Sequence, residues 1–298
     1  MKRTKKVRKS RNDRIFDAVL YTFAGLITLG ALYPMYFILI ASISDPTQVS
    51  AGNIVLYPIG FSLKGYTHLA SYSQVWVGYL NTVLYVIAGT FICLAVNIPA
   101  AYVLSRQDLV GRKLLVVYFL IPMFFSGGLI PTYITVKNFG LLDSFWVMVV
   151  PFSVITYFII VARTFFKTTL PQELWESAQL DGCGNTRYFI QFVLPLSKAI
   201  IAVIALWSAV GIWNSYFNAL IYLQSPQLYP LQLVMRNILI NNQVVSDMST
   251  GSAAAEAKKA ASLIKYCAIV VSSLPIMSMY PFVQKYFNQG VMIGALKG

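Results

Sequence analysis

Charge is what this sequence has least of. Only 11% of its 298 residues are charged, against 57% hydrophobic, and the mean hydropathy is +0.66. A soluble domain carries about 25% charged residues, so the chain cannot clothe a water-facing surface in the ordinary way. Three cysteines are too few for a disulfide framework. The one histidine, His68, excludes helical two-histidine zinc sites, and a Ser/His/Asp triad would have to use it with no carboxylate tied to it. The nearest approach to a phosphate loop, Gly60 to Tyr66, lacks the Lys-Ser/Thr pair that the motif needs. Large apolar side chains are too many for disorder or a collagen-like repeat. The remaining class is an all-α integral membrane protein.

A bilayer core of ~30 Å takes about 20 residues of helix at ~1.5 Å rise. Charge-poor stretches of that size predict six transmembrane helices, over about 15–43, 76–104, 114–136, 144–166, 199–223 and 262–287. They lie inside one helical domain, 15–287, flanked by a basic tail, 1–14, and a C-terminal tail, 288–298. The third span holds Pro122, Gly127, Gly128 and Pro131 and is the one expected to be broken.

Acids number only 10 against 23 Lys and Arg, and eight of those 23 stand in the first fourteen residues. The excess is therefore a tail, not a basic stripe interleaved with aromatics, and nucleic acid is not expected as a partner. With both termini inside, 17 of the 23 basic residues fall on the cytoplasmic side and 6 outside. The positive-inside rule thus predicts a multi-pass protein of the cell membrane with cytoplasmic N- and C-termini. The first apolar stretch exceeds the ~7–15 residues of a signal-peptide core and reads as a retained span.

No span centre carries a carboxylate or lysine. An ion-coupled carrier would need such groups as relays or ligands, so their absence favours energy supplied from outside the chain over a self-sufficient secondary carrier. Cys93 and Cys267 read as packing residues and Cys183 as a reduced thiol. Ser44 to Val75 reads as a small ordered cap. The stretch from Gln224 to Ala261 is too long for a mere connector and suggests contact with an external partner.

The strongest local signal is the segment 169–196, between the fourth and fifth spans. Pro171 suits a helix start, and Glu173 and Glu176 suit its positive end. Leu174, Ala178 and Leu180, with Trp175 nearby, offer an apolar strip. Gly182 and Gly184 allow a sharp turn, Asn185 or Thr186 can cap a second short helix, and Pro195 can start the next span. Two short helices on the membrane face would make a lever for a soluble partner.

Glu176-Ser177-Ala178, three residues, Gly182, nine residues, Phe192, one residue and Leu194-Pro195 together resemble the EAA loop of permeases in ATP-binding-cassette (ABC) importers. The departures are Ser177 for Ala and Phe192 for Ile. Asp181-Gly182 and the ending from Gln284 to Gly298 resemble maltose-type carbohydrate permeases. Phe124 to Tyr133 and Leu228 to Gln232 look like the subgroup for complex or acidic oligosaccharides.

The resemblance implies a non-catalytic permease subunit: half of a pore completed by a second, homologous permease. Two ATPase subunits would carry the ATP and Mg, this chain holding no cofactor or metal. An extracytoplasmic solute-binding protein would deliver the carbohydrate. Glu176, Ser177, Ala178, Asp181, Gly182, Leu194 and Pro195 would form the ATPase-coupling loop. Tyr229, Leu231 and Gln232 would meet the binding protein. Trp213, Asn214 and Asn218 are candidates for the sugar path, because amides bond hydroxyls and ring faces cover the C–H side of a pyranose. Bonding between helices explains them, and Asn81 and Asn97, as well.

Overall fold

The computed structural model describes residues 10–248 and 264–278. Among them every regular element is helical. Expectations for residues 1–9, 249–263 and 279–298, including the C-terminal tail, most of the basic tail and both ends of the sixth span, lie outside the described residues. The chain divides into two compact units, Met1–Ser71 with Leu239–Val271, and Tyr72–Ile238 with Ser272–Gly298.

In the first unit α1 (Arg11–Ser42) opens with a capping box, the Ser10 N–H donating to Asp13 Oδ2 at 2.9 Å. Its 32 residues give a rod of about 48 Å. Phe16, Tyr21, Leu26 and Leu29 stay largely exposed along it, which suits lipid or a partner rather than water. Beyond it Asp45 caps α2 (Pro46–Ser50) by accepting the Thr47 N–H at 2.8 Å. The stretch before α3 (Lys64–Ser71) folds back, where Tyr33 and Tyr36 donate to the carbonyls of Val55 and Leu56. The stretch expected to be an ordered cap thus folds against the end of α1 through these two tyrosines.

The second unit is built on α4 (Ser73–Ser105), which runs unbroken through Pro99. The third apolar segment is broken as expected: α5 (Arg112–Phe124) and α6 (Leu129–Asn138) meet at 114°. The fourth segment starts differently. A 3₁₀ turn at Phe145–Met148 and bends come first, and α7 is helical only over Thr156–Thr169. Pro151 has no N–H and pushes its predecessor out of the helical region, so a helix from 144 cannot propagate.

α8 (Gln172–Leu180) and α9 (Asn185–Leu196) follow. The middle of α9, Phe189–Val193, is a π turn. α10 (Lys198–Trp213) leaves α9 at 79°, and α11 (Tyr216–Tyr222) comes after a break at Asn214 and Ser215. The apolar half of the 224–261 stretch is a helix, α12 (Leu231–Met248), rather than a loop. The last described helix is α13 (Ile264–Ser278). By length and composition α1 and α4 are each able to cross a membrane, and up to four crossings result if each bent pair is one.

Two apolar cores lie along α4. One gathers Tyr85, Val136, Val147, Met148, Ala219, Tyr222 and Leu233. The other gathers Ile98, Tyr102, Phe158, Phe166, Tyr188 and Ile204. On α4, among residues of the second core, Asn97 is fully buried, donating to the carbonyls of Cys93 (2.6 Å) and Ser153 (2.7 Å) and accepting the Ile155 N–H at 3.0 Å. That network supplies partners to the backbone that Pro151 leaves irregular, a requirement where water is excluded. Helix-to-helix bonding, not a solute, therefore occupies Asn97.

Candidate functional site

The hairpin formed by α8 and α9 sits at the C-terminal end of α4. α8 ends in a Schellman motif: Gly182, at φ +73°, donates its N–H to the Gln179 carbonyl at 3.0 Å, and Cys183 donates to Ala178 at 2.9 Å. Glycine adopts that left-handed conformation without the Cβ clash other residues meet. Pro171 is the N-cap of α8 and Glu173 lies in its first turn. Gly184, not Asn185 or Thr186, is the N-cap of α9: the chain enters helical geometry at Asn185, one residue earlier than a cap at Asn185 would allow.

Helical spacing sorts the side chains. Ala178 is buried and Leu174 half-buried, four residues apart on one face. Leu180, two residues on, points away and is 90% exposed, so the apolar strip excludes it. Glu176, Ser177, Asp181 and Gly182 are exposed on the same element. Gln172 Nε2 donates to Glu176 Oε1 at 3.0 Å, and Ser177 Oγ to the Glu173 carbonyl at 2.9 Å. Leu194 packs on the inner core and Pro195 is exposed, just before the buried Ser197 joint. The residues expected to form a coupling loop thus fall into a presented set and an anchoring set, Ala178 and Leu194.

Aromatic packing mounts the hairpin on the rest of the unit. Tyr188, 2% exposed, meets Trp175 edge-on at 4.9 Å and stacks on Phe192 at 5.4 Å. Tyr102 of α4 reaches Phe189 at 5.1 Å. Sequence reasoning counted Arg106 only as a charge, yet its guanidinium lies 4.0 Å from the Trp175 ring centroid. The same group holds Asp108 through a two-pronged bond at 2.8 and 2.7 Å, and donates to Tyr102 OH at 3.1 Å. Those bonds hold the Asp108 carboxyl below the usual carboxylate range. A cleft of about 340 Å³ opens here, lined among others by Arg106, Asp108, Trp175, Glu176 and Gln179.

At the other end of α4 a strap runs from Gln224 to Leu231. Asn81 Nδ2 donates to the carbonyls of Gln227 (2.6 Å) and Tyr229 (3.1 Å), and Tyr85 OH donates to Leu228 at 2.8 Å. Thr82 Oγ1 accepts the Leu231 N–H at 2.8 Å. Gly78 permits this approach, since a Cβ there would meet the Leu231 backbone at 3.2 Å. Leu231 is completely buried, so it cannot touch an external partner as the sequence suggested. Tyr229 is half-buried with its hydroxyl on the Gln224 carbonyl, Gln232 is half-buried, and Gln224, Pro226 and Gln227 are the exposed members.

Trp213, Asn214 and Asn218 flank the α10–α11 break but do not share one environment. Trp213 is 4% exposed, and its Nε1–H is spent on the Ser272 carbonyl at 2.9 Å, which leaves nothing for a solute. Asn214 is exposed and turns back on Val210. Asn218 is half-buried, and its amide makes no hydrogen bond among the described residues. Among the described residues there is no cluster of three or more His, Cys, Asp or Glu able to hold a metal ion.

Residues 75–293 match the family described as binding-protein-dependent transport system inner membrane component. The chain is 36% identical over 290 residues to the polygalacturonan/rhamnogalacturonan transport system permease protein YtcP of Bacillus subtilis (strain 168), covering 96% of this chain and 99% of that one. It is 34% identical over 289 residues to Protein LplC of the same organism, covering 97% of each. Its fold is similar to a chain of a solved bacterial ABC transporter involved in the import of the acidic polysaccharide alginate. That match has a TM-score of 0.85 and 29% identity, and covers 95% of this chain and 100% of the other.

Proposed function

The chain belongs to the binding-protein-dependent transport system inner membrane component family, and from that membership we propose that it forms half of the pore of an ATP-driven ABC importer for a carbohydrate. A second, homologous permease completes the pore. Two ATPase subunits, which carry the ATP and Mg, grip the α8–α9 hairpin from the cytoplasm. An extracytoplasmic binding protein delivers the sugar to the strap side. The relatives' transport names point to a complex or acidic oligosaccharide.

The observation that carries this reading is the placement of two distinct surfaces along one helix. Thr82, which holds the strap, and Tyr102, which holds the hairpin, stand about 30 Å apart along α4 at ~1.5 Å per residue. That distance equals the thickness of a bilayer core of ~30 Å. A hairpin on one face and a strap on the other suit a subunit that takes force from inside and cargo from outside. The positive-inside count puts the hairpin and both termini in the cytoplasm. Six spans follow if α1, α4, the bent α5–α6 pair, α7 with the 144–155 stretch, α10 with α11, and the segment that contains α13 each cross once; protein packing around the 144–155 stretch makes such a crossing tolerable. Asn214 and Asn218 remain candidates for the sugar path.

Two measurements test this. Purification through a tag on this chain should bring down a second permease and an ATPase, and ATP should drive sugar uptake by the reconstituted complex. Uptake by the purified chain alone, driven by an ion gradient without ATP, would refute it in favour of a secondary carrier. Orientation has a built-in reporter: Cys93 and Cys267 are buried and Cys183 is half-buried in the hairpin. A membrane-impermeant maleimide should label Cys183 in inside-out vesicles and leave right-side-out vesicles unlabelled; the reverse pattern would place the hairpin outside.

A further inference from the structure

Asp143 lies in the short connection after α6, far in sequence from the strap it touches. Its Oδ1 accepts the N–H groups of both Gln224 and Ser225 at 2.8 Å, and its Oδ2 accepts the Ser225 hydroxyl at 2.6 Å. Its own N–H donates to the Tyr222 carbonyl at 2.9 Å. Four bonds therefore join one residue to the junction where α11 ends and the strap begins. Among the described residues it is also the only non-glycine with a positive φ, +52°. A left-handed conformation is unfavourable for a residue with a Cβ, and it persists where surrounding bonds over-determine it. The hydrogen bonds from Ser225 and Gln224 hold the carboxyl below its usual range, so it is ionised across the neutral range and accepts at both oxygens.

The strap has three other attachments, at Asn81, Thr82 and Tyr85, and all act on Gln227 to Leu231. At the leading edge, where Gln224, Pro226 and Gln227 are exposed, Asp143 holds Gln224 and Ser225 from outside the strap, while Tyr229 bonds the Gln224 carbonyl from within it and Asn81 holds Gln227. We infer that Asp143 is a positioning residue for the importer's external docking step: it holds the Gln224–Gln227 edge in the shape that meets the solute-binding protein, without touching that partner itself. The inference rests on the importer reading above. Releasing the brace lets the edge sample other shapes, and each binding event then has to restore the ordered one.

The test uses the assembled transporter in liposomes with its binding protein, reading stimulated ATPase activity against binding-protein concentration. Asp143→Gly suits the left-handed backbone, so folding is retained while all three side-chain bonds are removed. It should raise the half-saturating binding-protein concentration by about tenfold, as loss of charged hydrogen bonds that order a docking edge implies, with the maximal rate within about twofold. Asp143→Asn keeps an oxygen for the two backbone N–H groups and should stay within about threefold of the parent. An unchanged half-saturation in Asp143→Gly would overturn the inference, and so would a fall in maximal rate at unchanged half-saturation. If the parent complex itself showed no stimulation by any binding protein, the importer reading would fail instead.

Discussion

A transporter carrying Gly182→Glu should insert and assemble, yet import its sugar at least about tenfold more slowly than the parent. The argument starts from the backbone. Gly182 is the left-handed residue that closes α8, where its N–H and that of Cys183 complete the Schellman bonds. An L-residue there costs ~1–2 kcal/mol, too little to unfold a membrane domain but a factor of about 5–30 in the population of the correct hairpin. No atom lies within 4 Å of a Cβ built at this position, so the penalty is conformational rather than a clash. Gly182→Ala isolates that strain and should show the smaller loss. Glutamate adds a negative charge to an exposed face that already presents Glu176 and Asp181, and it should separate ATPase activity from sugar. Uptake and stimulated ATPase in proteoliposomes read both effects; parental values in Gly182→Glu would remove the hairpin from the coupling route.

Tyr188→Ala should have the largest effect on stability. Its ring is 2% exposed, wedged between Trp175 and Phe192 in the core that also holds Tyr102 and Phe166. Truncating a buried aromatic to alanine costs about 3–5 kcal/mol through lost transfer energy and the remaining cavity. The void opens directly beneath α8, so the hairpin should loosen before the rest of the unit. Thermal unfolding in detergent should shift down, and limited proteolysis should cut between Leu170 and Thr186 first. The hydroxyl of Tyr188 makes no hydrogen bond among the described residues, so Tyr188→Phe should stay within about 1 kcal/mol of the parent. A large loss in Tyr188→Phe, or none in Tyr188→Ala, would contradict this account of how the hairpin is mounted.

The two sites differ in how far the sequence revealed them. The hairpin was legible because its information is local: Pro171, Glu173, the glycines at 182 and 184 and the fixed spacing to Leu194-Pro195 act over a few residues. Even there, placing Leu180 with Leu174 and Ala178 failed, since residues two apart do not share a helix face. Arg106 was invisible as a mounting residue, because its partner Trp175 lies on another element and no spacing rule connects them. The strap was misread in part. The length of the 224–261 stretch and the family resemblance suggested an outward contact for Tyr229, Leu231 and Gln232, but the tertiary fold spends Leu231 on Gly78 and Thr82 of α4. For Trp213 the sequence left two uses open, a sugar path and bonding within the protein, and the fold gives its donor to Ser272.

From the chain alone came the class of protein, the apolar helices, the break between α5 and α6 and the chemistry of the hairpin, all set by composition and short-range periodicity. Only the folded chain decided which polar groups are used up. Asn97, Trp213 and Asp143 each find their partners more than fifty residues away. For the buried Asn97 and Trp213, a donor or acceptor in an apolar medium must be satisfied by whatever the fold brings near. Pairings of that kind follow from how helices pack, and the order of residues along the chain does not encode them one by one.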